Sequence, residues 1–176
     1  MRRFLSTLAV LPFFFAASWA QSIPDFSGVY VRAWPKPEVH HGKALPPRLK
    51  ISQQGRVLTA TRTEKGQTRT STYYLDGAES ENVAAGGAPS RDKALINNDT
   101  LQINSVIQVR RVTLELEQKW KIAGVSRHLI IETTAGGNSD ATGAFALGSF
   151  QSVYKRVAVP ATSRRPAGKS PNHRKT

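Results

Sequence analysis

Along most of the chain, apolar and polar residues alternate with a period of two. The clearest run is Arg111 to Ile122. Val112, Leu114, Leu116, Trp120 and Ile122 fall on one face with Gln118 among them, and Arg111, Thr113, Glu115, Glu117, Lys119 and Lys121 fall on the other. Successive strand side chains point to opposite sides, so this pattern predicts a strand with one buried and one hydrated face. Its length of about twelve residues exceeds the usual strand length of about 3–10. Long strands that must curve are typical of barrels.

Other segments read the same way, with turn residues between them. Phe26 to Ala33 opens the series. Leu49 to Gln53 and Val57 to Thr63 flank Gln54-Gly55, and Gln67 to Leu75 follows Glu64-Lys65-Gly66. Asp76-Gly77 is the strongest hairpin signal, since Asp-Gly suits a type I′ turn. Arg91 to Ile96 and Leu101 to Val109 flank Asn97-Asn98-Asp99, and Val125 to Thr134 and Phe145 to Arg156 flank a Gly-rich loop from Gly136 to Asp140. Ala84 to Pro89 reads as a loop. Pro35 to Pro47 holds four prolines and cannot form a regular ladder. Between Ser105 and Arg111 no Gly or Pro marks a turn, which suggests one long bent strand. No window carries helical apolar spacing over three turns. The prediction is an all-β, antiparallel, up-and-down barrel of about eight to ten strands.

The two ends of the chain depart from this pattern. Arg2 and Arg3 precede an uncharged apolar run from Leu8 to Ala17, and Ser18-Trp19-Ala20 follows. That is the layout of a secretory signal, so residues 1–20 are expected to be removed and the protein exported, to the periplasm or outside the cell. The apolar run is shorter than the roughly 20 residues a spanning helix needs, so no transmembrane segment is expected in the mature chain. Residues 161–176 contain Arg164, Arg165, Lys169, Arg174 and Lys175, no acid and few large apolar side chains. Such a segment cannot bury enough surface to offset its ordering entropy, and we expect a disordered basic tail. Of the net charge of +13, two units belong to Arg2 and Arg3 and five to this tail, leaving six on the body, residues 21–160. The tail is suited to an anionic envelope surface, or serves only to keep the chain in solution. Sequence-specific nucleic-acid binding is not indicated, and a monomer is expected.

The chain has no cysteine, which excludes thiolate metal sites, CxxC redox chemistry and a cysteine nucleophile. His40 and His41 are adjacent, so on an extended chain they point apart, and Glu38 or His128 could join one of them only through tertiary folding. His128 and Glu132 share a strand face about 13 Å apart, too far for direct acid–base cooperation. They either line the interior or form an ordinary hydrated pair. Ser139-Asp140 lacks a nucleophile elbow, and Gly136-Gly137 lacks the Lys-Ser/Thr of a phosphate loop. No metal, cofactor or enzymatic activity is predicted.

Gly28-Val29-Tyr30 resembles the G-x-W signature of lipocalin-like barrels, with Tyr in place of Trp. Asp25-Phe26-Ser27-Gly28, Leu49-Lys50-Ile51 with Gln54-Gly55, Tyr74-Leu75-Asp76-Gly77, Asp99-Thr100-Leu101 and Glu117-Gln118-Lys119-Trp120 extend the likeness. In this order they resemble a group of small secreted bacterial proteins with a lipocalin-like barrel and mostly no assigned activity. The chain departs from that group at Leu95-Ile96-Asn97-Asn98, where a Trp is usual, and at Ala123-Gly124, where Asp-Gly is usual. The resemblance implies that a late basic residue, Lys155 or Arg156, packs across Tyr30 to close the barrel. It also implies a small apolar ligand, such as a lipid or fatty acid, in an interior lined by Tyr30, Leu114, Leu116 and Trp120. An interior filled by aromatic and aliphatic side chains is the alternative.

Overall fold

A computed structural model describes residues 23–35 and 47–158. The signal-like segment, Glu38, His40, His41 and the five tail cations lie outside the described residues. Ten strands follow one another: β1 (Gly28–Trp34), β2 (Arg48–Gln54), β3 (Val57–Glu64), β4 (Gln67–Tyr74), β5 (Asp76–Val83), β6 (Pro89–Asn97), β7 (Thr100–Val109), β8 (Val112–Ala123), β9 (His128–Ser139) and β10 (Gly143–Val157). All ladders are antiparallel, and the sheet order is β4-β3-β2-β1-β10-β9-β8-β7-β6-β5. The first and last strands therefore pair, and the sheet curls into a nearly closed up-and-down barrel, as the alternation predicts. The seam lies between β4 and β5, neighbours in sequence that form the two edges of the sheet.

Three segments fold differently from the sequence expectation. There is no long bent strand across Ser105–Arg111. Instead β7 and β8 pair from Thr100↔Lys121 through to Val109↔Val112, leaving a tight turn at Arg110-Arg111. Arg110 takes the left-handed conformation at φ 53°, which a non-glycine residue can adopt at some cost, so the turn needs no Gly or Pro. Asp76-Gly77 is not the loop of a paired hairpin. It begins β5, where the ladder to β6 slips between Asp76 and Glu79, and the Asp76 carboxylate accepts the Ala78 amide at 3.1 Å. The Gly-rich segment Gly136–Ser139 is strand rather than loop, paired with both β8 and β10. Gly137 explains why glycine belongs there. A Cβ atom would lie 2.5 Å from the Thr113 carbonyl oxygen and 2.8 Å from the Phe145 ring.

One end of the barrel is filled. Phe26, Tyr30, Leu49, Ile51, Leu58, Leu101, Ile103, Trp120, Leu129, Ile131 and Tyr154 form its buried cluster. The segment before β1 seals this end and is tied down by polar contacts. The Gln53 carboxamide accepts the Phe26 amide at 3.1 Å and donates to the Pro24 carbonyl at 3.0 Å. The Tyr30 hydroxyl donates to the Phe26 carbonyl at 2.9 Å, and Arg127 donates to that of Asp25 at 2.6 Å. Phe26 is thereby held as an apolar plug with its backbone satisfied.

Candidate ligand cavity

The inward-facing residues change character along the barrel. At the sealed end they are large and apolar. Midway they become small or polar: Ser71, Ser80, Asp92, Ser105, Gln118 and Thr133 continue the inward register of β4 to β9. Small side chains at that level leave space, and a cavity of about 300 Å³ opens above Trp120. That volume lies at the lower end of the roughly 300–1,000 Å³ common for small-molecule sites.

Two walls of the cavity contrast. On β7 and β8, Ile107, Val109, Leu114 and Leu116 present an aliphatic surface. On β3 and β4, Arg62 and Arg69 line it, directly opposite each other in the ladder. Trp120 is buried at 1% exposure beneath them. Tyr73 meets it edge to face, with ring centroids 6.2 Å apart and planes at 73°, a favoured aromatic arrangement. Burial pushes the Tyr73 phenol above its usual range; a hydrogen bond with Ser71 opposes this, the nearby Asp92 carboxylate adds to it, and the field of Arg62 opposes it.

Asp92 is only 3% exposed, and its carboxylate is held by neighbouring polar side chains. One oxygen accepts from the Asn82 carboxamide at 2.7 Å and from the Ser90 hydroxyl at 3.3 Å. Asn82 also accepts the Thr72 amide at 2.8 Å and donates to the Thr72 carbonyl at 2.9 Å. One side chain thus reproduces a ladder unit across the β4/β5 seam and fixes a buried acid beside it.

Of the residues singled out from sequence, Leu114, Leu116 and Trp120 come together on the cavity. Tyr30 lies apart from it, fully buried in the sealed end. Tyr30 and Arg156 are direct partners across the β1/β10 ladder. The Arg156 guanidinium donates to the Ser27 carbonyl at 2.9 Å and lies over Gly28, where a Cβ would come within 2.8 Å of its Nε. Burial raises the Tyr30 phenol pKa, with Arg156 and Arg127 opposing. His128 and Glu132 sit on the outer register of β9, between the buried Leu129, Ile131 and Thr133, and Glu132 accepts from Gln151 at 3.1 Å. Among the described residues no three metal-ligating side chains cluster. Arg62, Arg69, Asn82 and Asp92 are not among the residues that the sequence motifs single out. The signal was present: Leu58-x-Ala60-x-Arg62 and Ala94-x-Asp92 place charge on the inward register of strands whose other inward residues are buried.

The barrel has counterparts among solved structures. It superposes on the REP1-NXSQ fatty acid transporter with a TM-score of 0.50 at 12% identity, covering 76% of this chain and 96% of the other. It superposes on apo lipid binding protein 8 from Caenorhabditis elegans with a TM-score of 0.52 at 9% identity, covering 75% and 95%. A secretary abundant heat soluble protein from Ramazzottius varieornatus gives 0.52 at 12% identity, covering 78% and 98%. At these identities the likeness is one of fold. In sequence, no family model and no curated protein matches the chain.

Proposed function

We propose that this protein is a non-enzymatic carrier that binds a small, largely apolar ligand inside its barrel. The observation that carries this reading is the half-filled interior. The core ends at Trp120, and above it Ile107, Val109, Leu114 and Leu116 face about 300 Å³ of space. Aliphatic side chains lining a void have no partners on one side, and an apolar ligand would supply those contacts. Fold likeness alone would not support the reading. Two of the superposed structures are named for fatty acid transport and lipid binding, and the third for heat solubility. The N-terminal pattern of Arg2, Arg3 and Leu8 to Ala17 supports an exported carrier.

Native mass spectrometry of the protein, purified without detergent after secretion by a bacterial host, tests this. A small adduct seen under native conditions and lost on denaturation is the expected result, and its mass gives the ligand class. A bare mass, followed by no uptake of fluorescent lipid analogues, would overturn the proposal.

A further inference from the structure

Arg62 and Arg69 are the least explained residues of the interior. Each lies on the inward register of its strand, each is half-buried, and they face one another as ladder partners. Like charges directly opposite across a ladder destabilise it. Among the described residues no carboxylate lies within ion-pair distance of either, whereas Arg32 on the same register is matched by Glu64 at 3.7 Å. The nearby Asp92 accepts hydrogen bonds from the neutral Asn82 and Ser90 side chains and forms an ion pair with neither arginine. The cavity thus holds two cationic forks and one tethered acid on one side, and an aliphatic wall on the other.

We infer that the cavity takes an amphipathic anion, with its carboxylate-type head held between Arg62 and Arg69 and its hydrocarbon part against Ile107, Leu114 and Leu116. This rests on the carrier reading and narrows it. Guanidinium groups grip planar oxyanions through paired N–H donors, and such charge-assisted bonds are stronger where water is partly excluded. A single bound anion would also relieve the repulsion between the two arginines. An uncharged lipid would leave both cations beside an apolar chain, and a cationic amphiphile would add a third positive charge.

Calorimetric titration of the protein with dodecanoate, dodecanol and dodecyltrimethylammonium below their micellar concentrations separates the possibilities, because the three share one tail. Dodecanoate is expected to bind on the order of tenfold or more tighter than dodecanol, with the ammonium weakest. In Arg62→Gln/Arg69→Gln that preference falls to about onefold while dodecanol affinity stays within about twofold. In Arg48→Gln, an exposed cation of β2, it persists. Equal affinities for dodecanoate and dodecanol, or a preference that survives the double substitution and disappears in Arg48→Gln, would overturn the inference and leave the carrier reading standing. Failure of all three probes to bind would overturn both. Thermal unfolding of each variant, with a single cooperative transition required, keeps a folding defect from imitating lost recognition.

Discussion

Asn82 holds the main chain of Thr72 as a neighbouring strand would, accepting its amide at 2.8 Å and donating to its carbonyl at 2.9 Å. β4 and β5 are the two sheet edges, and exposed edges are a liability that folds must manage. Here the management is done by a side chain whose remaining hydrogen-bonding capacity secures Asp92 at 2.7 Å. Asn82→Ala removes these three bonds, with a longer one to the Ser80 hydroxyl at 3.3 Å, and leaves a buried carboxylate short of a donor. We expect a loss of about 2–4 kcal/mol in chemical denaturation, together with faster amide exchange at Thr72. Unchanged exchange at Thr72 would mean the seam is held by other contacts.

The opposition of Arg62 and Arg69 leads to a prediction about stability in the absence of ligand. Removing one charge relieves a like-charge pair, so Arg62→Gln should gain roughly 0.5–1 kcal/mol. Added salt should stabilise the parent protein more than the variant, because screening acts on the same repulsion. Both effects would be seen in urea unfolding at low and high ionic strength. A destabilised Arg62→Gln would show that the pair is held by partners that outweigh its repulsion. Binding sites commonly cost stability in this way.

Gly137 lies on β9 between two strands, and the space above its Cα is occupied. In Gly137→Ala the new methyl would approach the Thr113 carbonyl oxygen at 2.5 Å and the Phe145 ring at 2.8 Å. A side chain can rotate away, but a ladder carbonyl cannot. The expected cost is about 1–3 kcal/mol. Truncating Phe145 in the same chain should recover only part of it. Gly136→Ala is the control, since its Cβ meets only the Phe145 carbonyl oxygen at 3.1 Å. Equal losses in the two alanine variants would place the cause in strand flexibility rather than in crowding.

How far the sequence reveals this molecule depends on the residue. The strand β8 is plain because Glu115, Glu117, Lys119 and Lys121 alternate with apolar partners, and period two leaves one solution. The β7/β8 turn is hidden because Arg110 takes φ 53° without the glycine that usually marks it. Gly136-Gly137 misleads because glycine signals both a loop and a close approach, and only the neighbours Thr113 and Phe145 distinguish them. The cavity is harder still. Leu114, Leu116 and Trp120 would look the same in a filled barrel, since empty space depends on what stands opposite. What stands opposite is Ser71 and Asp92, brought there from other strands. Arg62 and Arg69 could have been found by following the inward register of β3 and β4 past Ala60 and Ser71.

The raised phenols of Tyr30 and Tyr73 make stability depend on alkaline pH in a definite direction. In the unfolded chain a tyrosine ionises near about pH 10. Burial is the main cause that keeps the folded phenols protonated to higher pH. Above that point the unfolded state binds fewer protons than the folded one, so stability falls as pH rises, and below it these groups contribute no slope. The limit is about 1.4 kcal/mol per pH unit for each phenol that stays protonated. Tyr73→Phe should flatten the decline between about pH 10 and 11. Tyr30→Phe should flatten it too, but from a lower starting stability, because it also removes the 2.9 Å bond to the Phe26 carbonyl. Urea unfolding at a series of pH values checks both, and an alkaline slope identical in Tyr73→Phe and the parent would show that the Tyr73 phenol ionises in the folded barrel as freely as in the unfolded chain.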